Sequence, residues 1–231
     1  MAPTILKLTR KRVLVDVDTQ RDLLMVEGTS CVRNHRRVLA NIRRIMAWAR
    51  ATGLPVISTA QVNKCPKINY CLEDTPGSAK MSYTLLNRRV SYQADGYTDL
   101  PREFFKDHEQ MVLKKRTFDP FDEPRAERVL TEMRADEFVV MGAITESSIK
   151  ATVLGLLLRG KRVVVIEDAI GSHDKNAAEI ALRQMQAKGA RLVETKTIAG
   201  STHLRLVGAC KCPRCQGLLE KAEKQEPVTQ K

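Results

Sequence analysis

Three residues of this chain have the types and placement for acid–base or nucleophilic chemistry: Asp18, Lys115 and Ser148. Asp18 closes the apolar run RVLVDVD (12 to 18) and Lys115 closes QMVLKK (110 to 115), while Ser148 opens a helical pattern just after EFVVMGA (137 to 143). In open parallel sheets ligands bind beyond the carboxyl ends of the strands, so groups at three such ends can converge. A carboxylate beside an ammonium is held ionised, whereas burial and an anionic substrate raise its proton affinity; such an aspartate can act as base or acid. For an isolated Asp and Lys the commoner alternative is a buried structural ion pair. The corner around Ser148, VVMGAITESSIKAT (139 to 152), offers Thr145, Glu146, Ser147 and Ser148 at a helix start, with no cysteine, histidine or glycine-rich phosphate loop.

Two further polar groups belong to the same edge. Strand alternation puts Asp16 on the face of Asp18, where two carboxylates could share a proton or Asp16 could bond to the neighbouring strand. His173 lies just beyond the fifth strand, either within reach of the pocket or as a loop contact.

The elements that must position these groups follow from the apolar pattern. Short β-branched runs recur at 12 to 18, 54 to 60, 110 to 115, 137 to 143, 161 to 169 and 190 to 195. Helical patterns fall between most of them, at 33 to 52, 123 to 135, 147 to 159 and 175 to 188, with Gly53, Gly160 and Gly189 placed as C-terminal caps. Continuous apolar strands alternating with helices predict an α/β fold, a three-layer αβα sandwich around a mostly parallel six-stranded sheet. One connection, 61 to 110, is too long for a simple loop and reads as a lid or an oligomer contact. Its Tyr83, Tyr92, Tyr97, Phe104 and Phe105 would either cover a pocket or pack the lid onto the domain.

Composition narrows the class. With 231 residues, 43% of them hydrophobic, the chain can bury one sizeable core. The N-terminus lacks the apolar centre of a signal peptide and no run is long enough to span a membrane, so the expectation is a cytoplasmic protein with reduced cysteines. The net charge of +12 and the spacing of Arg36, Arg43 and Arg50 make a basic stripe on one helix. Against nucleic-acid binding stand 27 interspersed acidic residues and only 4% aromatics, which favour a solvated helix face.

Four motifs resemble the isochorismatase-like hydrolase superfamily, also called the cysteine hydrolases: VDTQRDLL (17 to 24), LKKRTFDPF (113 to 121), VVMGAITESSIKAT and VVVIEDAIGSHD (163 to 174). The resemblance implies a Rossmann-like sandwich, Asp18 as the catalytic aspartate, Lys115 as the catalytic lysine, and a cis peptide between Ala143 and Ile144. It would also make the amides of Ile144 and Ser148 donors to an oxyanion. The phenylalanine six residues on selects Lys115 over Lys114.

Two departures matter. Ser148 stands where the family keeps its nucleophilic cysteine, and a serine hydroxyl needs a base that Asp18 and Lys115 do not supply convincingly. TAQVNK (59 to 64) stands where nicotinamidase relatives carry an Asp-x-His metal segment, so no catalytic metal or cofactor is expected. Gln61 instead resembles the substrate-facing glutamine of isochorismatase-type relatives, and TPGS (75 to 78) their lid loop. Isochorismatase itself splits a vinyl ether by protonation from its aspartate, which asks little of position 148. The expectation is a hydrolase of a small anionic molecule, and a homo-oligomer by family habit; the alternative is a non-catalytic member that binds a metabolite or a protein.

The chain divides into a domain over 1 to 208 and a tail over 209 to 231. Within ACKCPRCQG, Cys210, Cys212 and Cys215 resemble one knuckle of a zinc ribbon, but structural zinc needs a fourth ligand, such as His203, Cys65 or Cys71. Free thiols are the simpler account.

Overall fold

The computed structural model describes residues 12 to 65, 67 to 101 and 103 to 200. Seven strands form one sheet: β1 (Arg12–Val17), β2 (Val56–Gln61), β3 (Arg89–Tyr92), β4 (Gln110–Lys115), β5 (Glu137–Ala143), β6 (Val163–Gly171) and β7 (Arg191–Val193). Their order is β3-β4-β2-β1-β5-β6-β7, and every neighbouring pair is parallel. The sheet therefore has one strand more than expected. The addition, β3, comes from the long connection; it pairs only with β4, and its pattern of exposed and half-buried residues carries none of the continuous apolar signal of the inner strands.

Helices cover both faces. Strand alternation sends Leu14, Val139 and Met141 to one face, where Val38, Ile42, Ile45 and Met46 of α2 (His35–Thr52) meet them. It sends Val13, Val15, Val17 and Val140 to the other, against Leu130 of α4 (Pro124–Glu132), Val153 and Leu156 of α5 (Lys150–Leu158), and Met185 of α6 (Lys175–Ala187). Shorter helices α1 (Arg21–Leu24), α3 (Phe104–Asp107) and α7 (Thr195–Ala199) complete the set in sequence. Gly53 caps α2 in the left-handed region, with φ 61°.

The switch of chain direction falls at β1. The chain leaves β1 for β2 and then β4 on one side, and returns to β5 on the other, which opens a crevice over the carboxyl end of β1. Close backbone approach there demands a glycine: Gly142 has φ 131°, and a side chain at this position would collide with the Val17 carbonyl on the adjoining strand.

The aromatics of the connection pack rather than cover. Tyr83 is buried among the α2 residues, Tyr92, Phe104 and Phe105 cluster on the other face, and Tyr97 is exposed. Of the arginines of α2, Arg36 and Arg37 are exposed, whereas three others make contacts within the fold. Arg43 stacks over the Tyr83 ring, Arg44 donates to the Gly200 carbonyl, and Arg50 donates to the carbonyls of Tyr83 and Leu85. The cysteine motif at 209 to 217 and the boundary at 208 lie outside the described residues.

Candidate active site

Asp18 sits immediately past β1 with φ 48°, a left-handed conformation that costs a non-glycine residue about 1 kcal/mol or more. Thr59 of β2 holds it there: its carbonyl and hydroxyl accept from the Asp18 amide at 3.2 and 3.3 Å, and its hydroxyl is also 2.7 Å from Asp18 Oδ1, as donor. The other carboxylate oxygen lies 2.7 Å from Lys115 Nζ, with both side chains at most 1% exposed.

Lys115 comes from the carboxyl end of β4, across β2, and its ammonium is fully engaged. It donates to the carbonyls of Thr117 and Phe118 at 3.0 and 3.1 Å and to Ser148 Oγ at 3.3 Å. Four oxygens around one buried ammonium offset its loss of water. Lys114 points to the opposite face by alternation and is half-buried, so burial separates the two lysines.

Ser148 lies in a wide turn, Thr145–Ile149, that joins β5 to α5 through a bond from the Ile149 amide to the Ile144 carbonyl. The peptide between Ala143 and Ile144 is cis. Thr145 anchors the turn by donating its hydroxyl to the Gly171 carbonyl at the end of β6. Thus one buried ammonium bridges the carboxylate of Asp18 and the hydroxyl of Ser148, and Ile144 borders the same corner.

Asp16 is set apart from Asp18. The positive φ at Asp18 breaks the strand alternation that would have aligned them, and each carboxylate has its own ammonium. Asp16 Oδ2 accepts from Ser58 Oγ at 2.7 Å and lies 3.0 Å from Lys80 Nζ. The two acids thus face separate ammonium groups. His173 is a loop contact: its Nε2 meets the Ser30 carbonyl at 2.8 Å, and its amide donates to Glu146.

Gln61 is 6% exposed, and its side chain donates to Asn63 Oδ1 at 3.2 Å. Its backbone is clasped by Gln20, whose side chain donates to the Gln61 carbonyl and accepts from the Gln61 amide at 2.7 and 2.8 Å. The same Gln20 amide reaches the Ser78 carbonyl at 2.8 Å, tying the TPGS segment to the site. Neutral amides at 61 and 63, bonded to each other, are a poor donor set for a divalent metal. Among the described residues no group of three or more His, Cys, Asp or Glu side chains could hold one.

Two residues of the connection stand close to the site although their spacing announced nothing. Burial raises the proton affinity of the Tyr70 phenol; a hydrogen bond with Gln61 opposes this, and the charges of Cys71 and Asp18 add to it. Cys71 is wholly buried, and burial first, then Asp18 and Asp22, pushes its thiol well above the ordinary range despite Lys115 and Lys80. Asp22 fixes this stretch by accepting the Cys71 amide at 2.7 Å. The only forewarning was length, since a fifty-residue excursion from the carboxyl edge has to return across that edge.

The chain belongs to the isochorismatase domain family, which matches residues 12–197. It is 28% identical over 178 residues to streptothricin hydrolase of Streptomyces noursei, an alignment covering 77% of this chain and 61% of that protein. The chain thus spans less than two thirds of that relative's length. Its fold is similar to pyrazinamidase of Pyrococcus horikoshii in complex with zinc, with TM-score 0.62, 19% identity, and coverage of 80% of this chain and 99% of that one. It is also similar to MAR1 ribonuclease of Caenorhabditis elegans, with TM-score 0.57, 21% identity, and coverage of 95% and 93%.

Proposed function

We propose that this protein is a hydrolase of small, anionic organic molecules in which Asp18 transfers the proton, Lys115 orients it and the substrate, and Ser148 and Ile144 border the reacting oxygen, with Gln61 facing the substrate. The observation that carries this reading is the buried ammonium of Lys115, 2.7 Å from Asp18 Oδ2 and 3.3 Å from Ser148 Oγ. The Ser148 hydroxyl accepts from a cation and, among the described residues, bonds to no histidine, so it is a poor nucleophile. Proton transfer from Asp18 with attack by water needs no such nucleophile, and this favours vinyl ether cleavage over an acyl-enzyme route. No step runs through a metal, because the residues at 61 and 63 do not suit one. The excess of basic charge suits an anionic ligand.

Because the trio is closed to solvent, substrate entry requires movement of the residues that cover it. The same closure favours a second reading, a family member that binds a metabolite without turning it over. A panel of vinyl ethers, amides and ureides separates the two. Turnover of one class by the parent chain, lowered about 100-fold or more in Asp18→Asn, is the expected result; undiminished turnover by that variant would sink the assignment. The reading includes a homo-oligomer, checked by sedimentation, and a cytoplasmic location, checked by cell fractionation.

A further inference from the structure

Asp16 takes no part in the chemistry above, yet it is a fully buried carboxylate in a strand whose other buried residues are Val and Leu. Its counter-ion arrives from the long connection. Lys80, with its side chain 4% exposed, puts Nζ 3.0 Å from Asp16 Oδ2, and the same ammonium donates to the Thr59 carbonyl at 2.9 Å. That carbonyl is the one that accepts the Asp18 amide, and the Thr59 hydroxyl is the donor to Asp18 Oδ1. One residue therefore receives Lys80 and presents Asp18.

The backbone around Lys80 is held as firmly as its side chain. The Arg21 amide donates to the Ala79 carbonyl at 2.9 Å, and the Met81 amide donates to the Thr19 carbonyl at 2.8 Å. These bonds bracket Lys80 and attach it to the residues that follow Asp18. A buried ion pair is a weak source of net stability, since apolar residues of similar volume commonly do as well. What apolar residues cannot supply is a cationic donor at the Thr59 carbonyl, at the point where Asp18 must be kept in a left-handed conformation.

We propose that Lys80, fixed by Asp16, is a positioning residue that sets the carboxylate of Asp18 through Thr59. The proposal rests on the reading of Asp18 as the proton-transferring group. Lys80 does not touch the reacting atoms. It fixes one side of Thr59 so that the other side fixes Asp18, and it does so only while the 78 to 84 stretch is in place. The part of the connection carrying Tyr70 and Cys71 is held by separate bonds, from Asn63 to the Tyr70 carbonyl and from the Cys71 amide to Asp22.

The test uses the full chain with both charges removed, Asp16→Val with Lys80→Met. Two quantities are read: hydrogen exchange at the Asp18 amide, and kcat against KM on whichever panel compound the parent turns over. The expected result is exchange at Asp18 faster by tenfold or more with Val13 to Val15 unchanged, and kcat lowered at least tenfold with KM within twofold. Parental exchange at Asp18, or faster exchange with unchanged kcat, overturns the proposal. If the parent turns over nothing on the panel, the reading of Asp18 as a proton donor fails, and the exchange measurement alone decides whether Lys80 positions it. Should that double variant not fold, Asp16→Asn with Lys80→Met keeps the acceptor for Ser58 and is judged by the same criteria.

Discussion

At the scale of single residues, the site contains a buried cysteine held in its unreactive form. Cys71 stands near Asp18 and Lys115, but burial and two carboxylates keep it a thiol, and the thiolate is the reactive species. Cys65, five residues before the Tyr70 that borders the site, is exposed. Brief treatment of the native chain with iodoacetamide is expected to modify Cys65 and leave Cys71 untouched until denaturant is added; mass spectrometry of tryptic peptides reads the difference. Ser148→Cys offers the converse experiment. A thiol placed beside the Lys115 ammonium is favoured as thiolate, so this variant should gain amide hydrolysis measurable against the parent on the same panel. Continued absence of amidase activity would mean that position 148 lacks the geometry for covalent attack.

At the scale of elements, the crevice depends on how closely β1 and β5 approach. Gly142→Ala adds a methyl group against the Val17 carbonyl in a conformation alanine rarely adopts. The combined strain and overpacking should cost about 3 kcal/mol, lowering the melting temperature by roughly 6 to 12 °C for a domain of this size. Calorimetry checks this, and a change of less than a degree or two would mean that the strands can separate freely. The inner strands and long helices were legible because each buries a continuous apolar run or stripe, as in VVVI of β6 and the α2 face. Strand β3 was not, since RVSY lies at an edge with alternate residues in water and its pairing to β4 is set by distant chain. The convergence of Asp18, Lys115 and Ser148 could be read from strand ends. The partner of Asp16 could not, because Lys80 lies 64 residues away in a stretch without periodicity, and the left-handed turn at Asp18 is invisible in a pattern of side chains.

At the scale of the whole molecule, burial of weak acids sets the alkaline limit of the fold. Burial raises the proton affinities of Cys71 and Tyr83, and to a lesser extent Tyr70. A folded-state value above the unfolded one favours folding below the unfolded value, and this contribution is lost as pH rises toward the folded value. Unfolded cysteine titrates near about 8.5 and tyrosine near about 10, so the decline should begin near pH 9 and steepen above 10, by up to about 1.4 kcal/mol per pH unit for each group. Urea titrations at pH 8 and 10.5 should show the loss, and Cys71→Ala should flatten its first part. The all-parallel sheet has a broader consequence. Since every strand runs the same way, Asp18, Lys115 and Ser148 share one rim, while the turns at Gly53, Gly160 and Gly189 lie at the opposite one, where a carbon added at these glycines would meet no neighbour. New termini or a grafted peptide introduced at Gly189 would therefore leave the crevice intact, which makes that rim the natural handle for tethering this protein to a surface or to another enzyme.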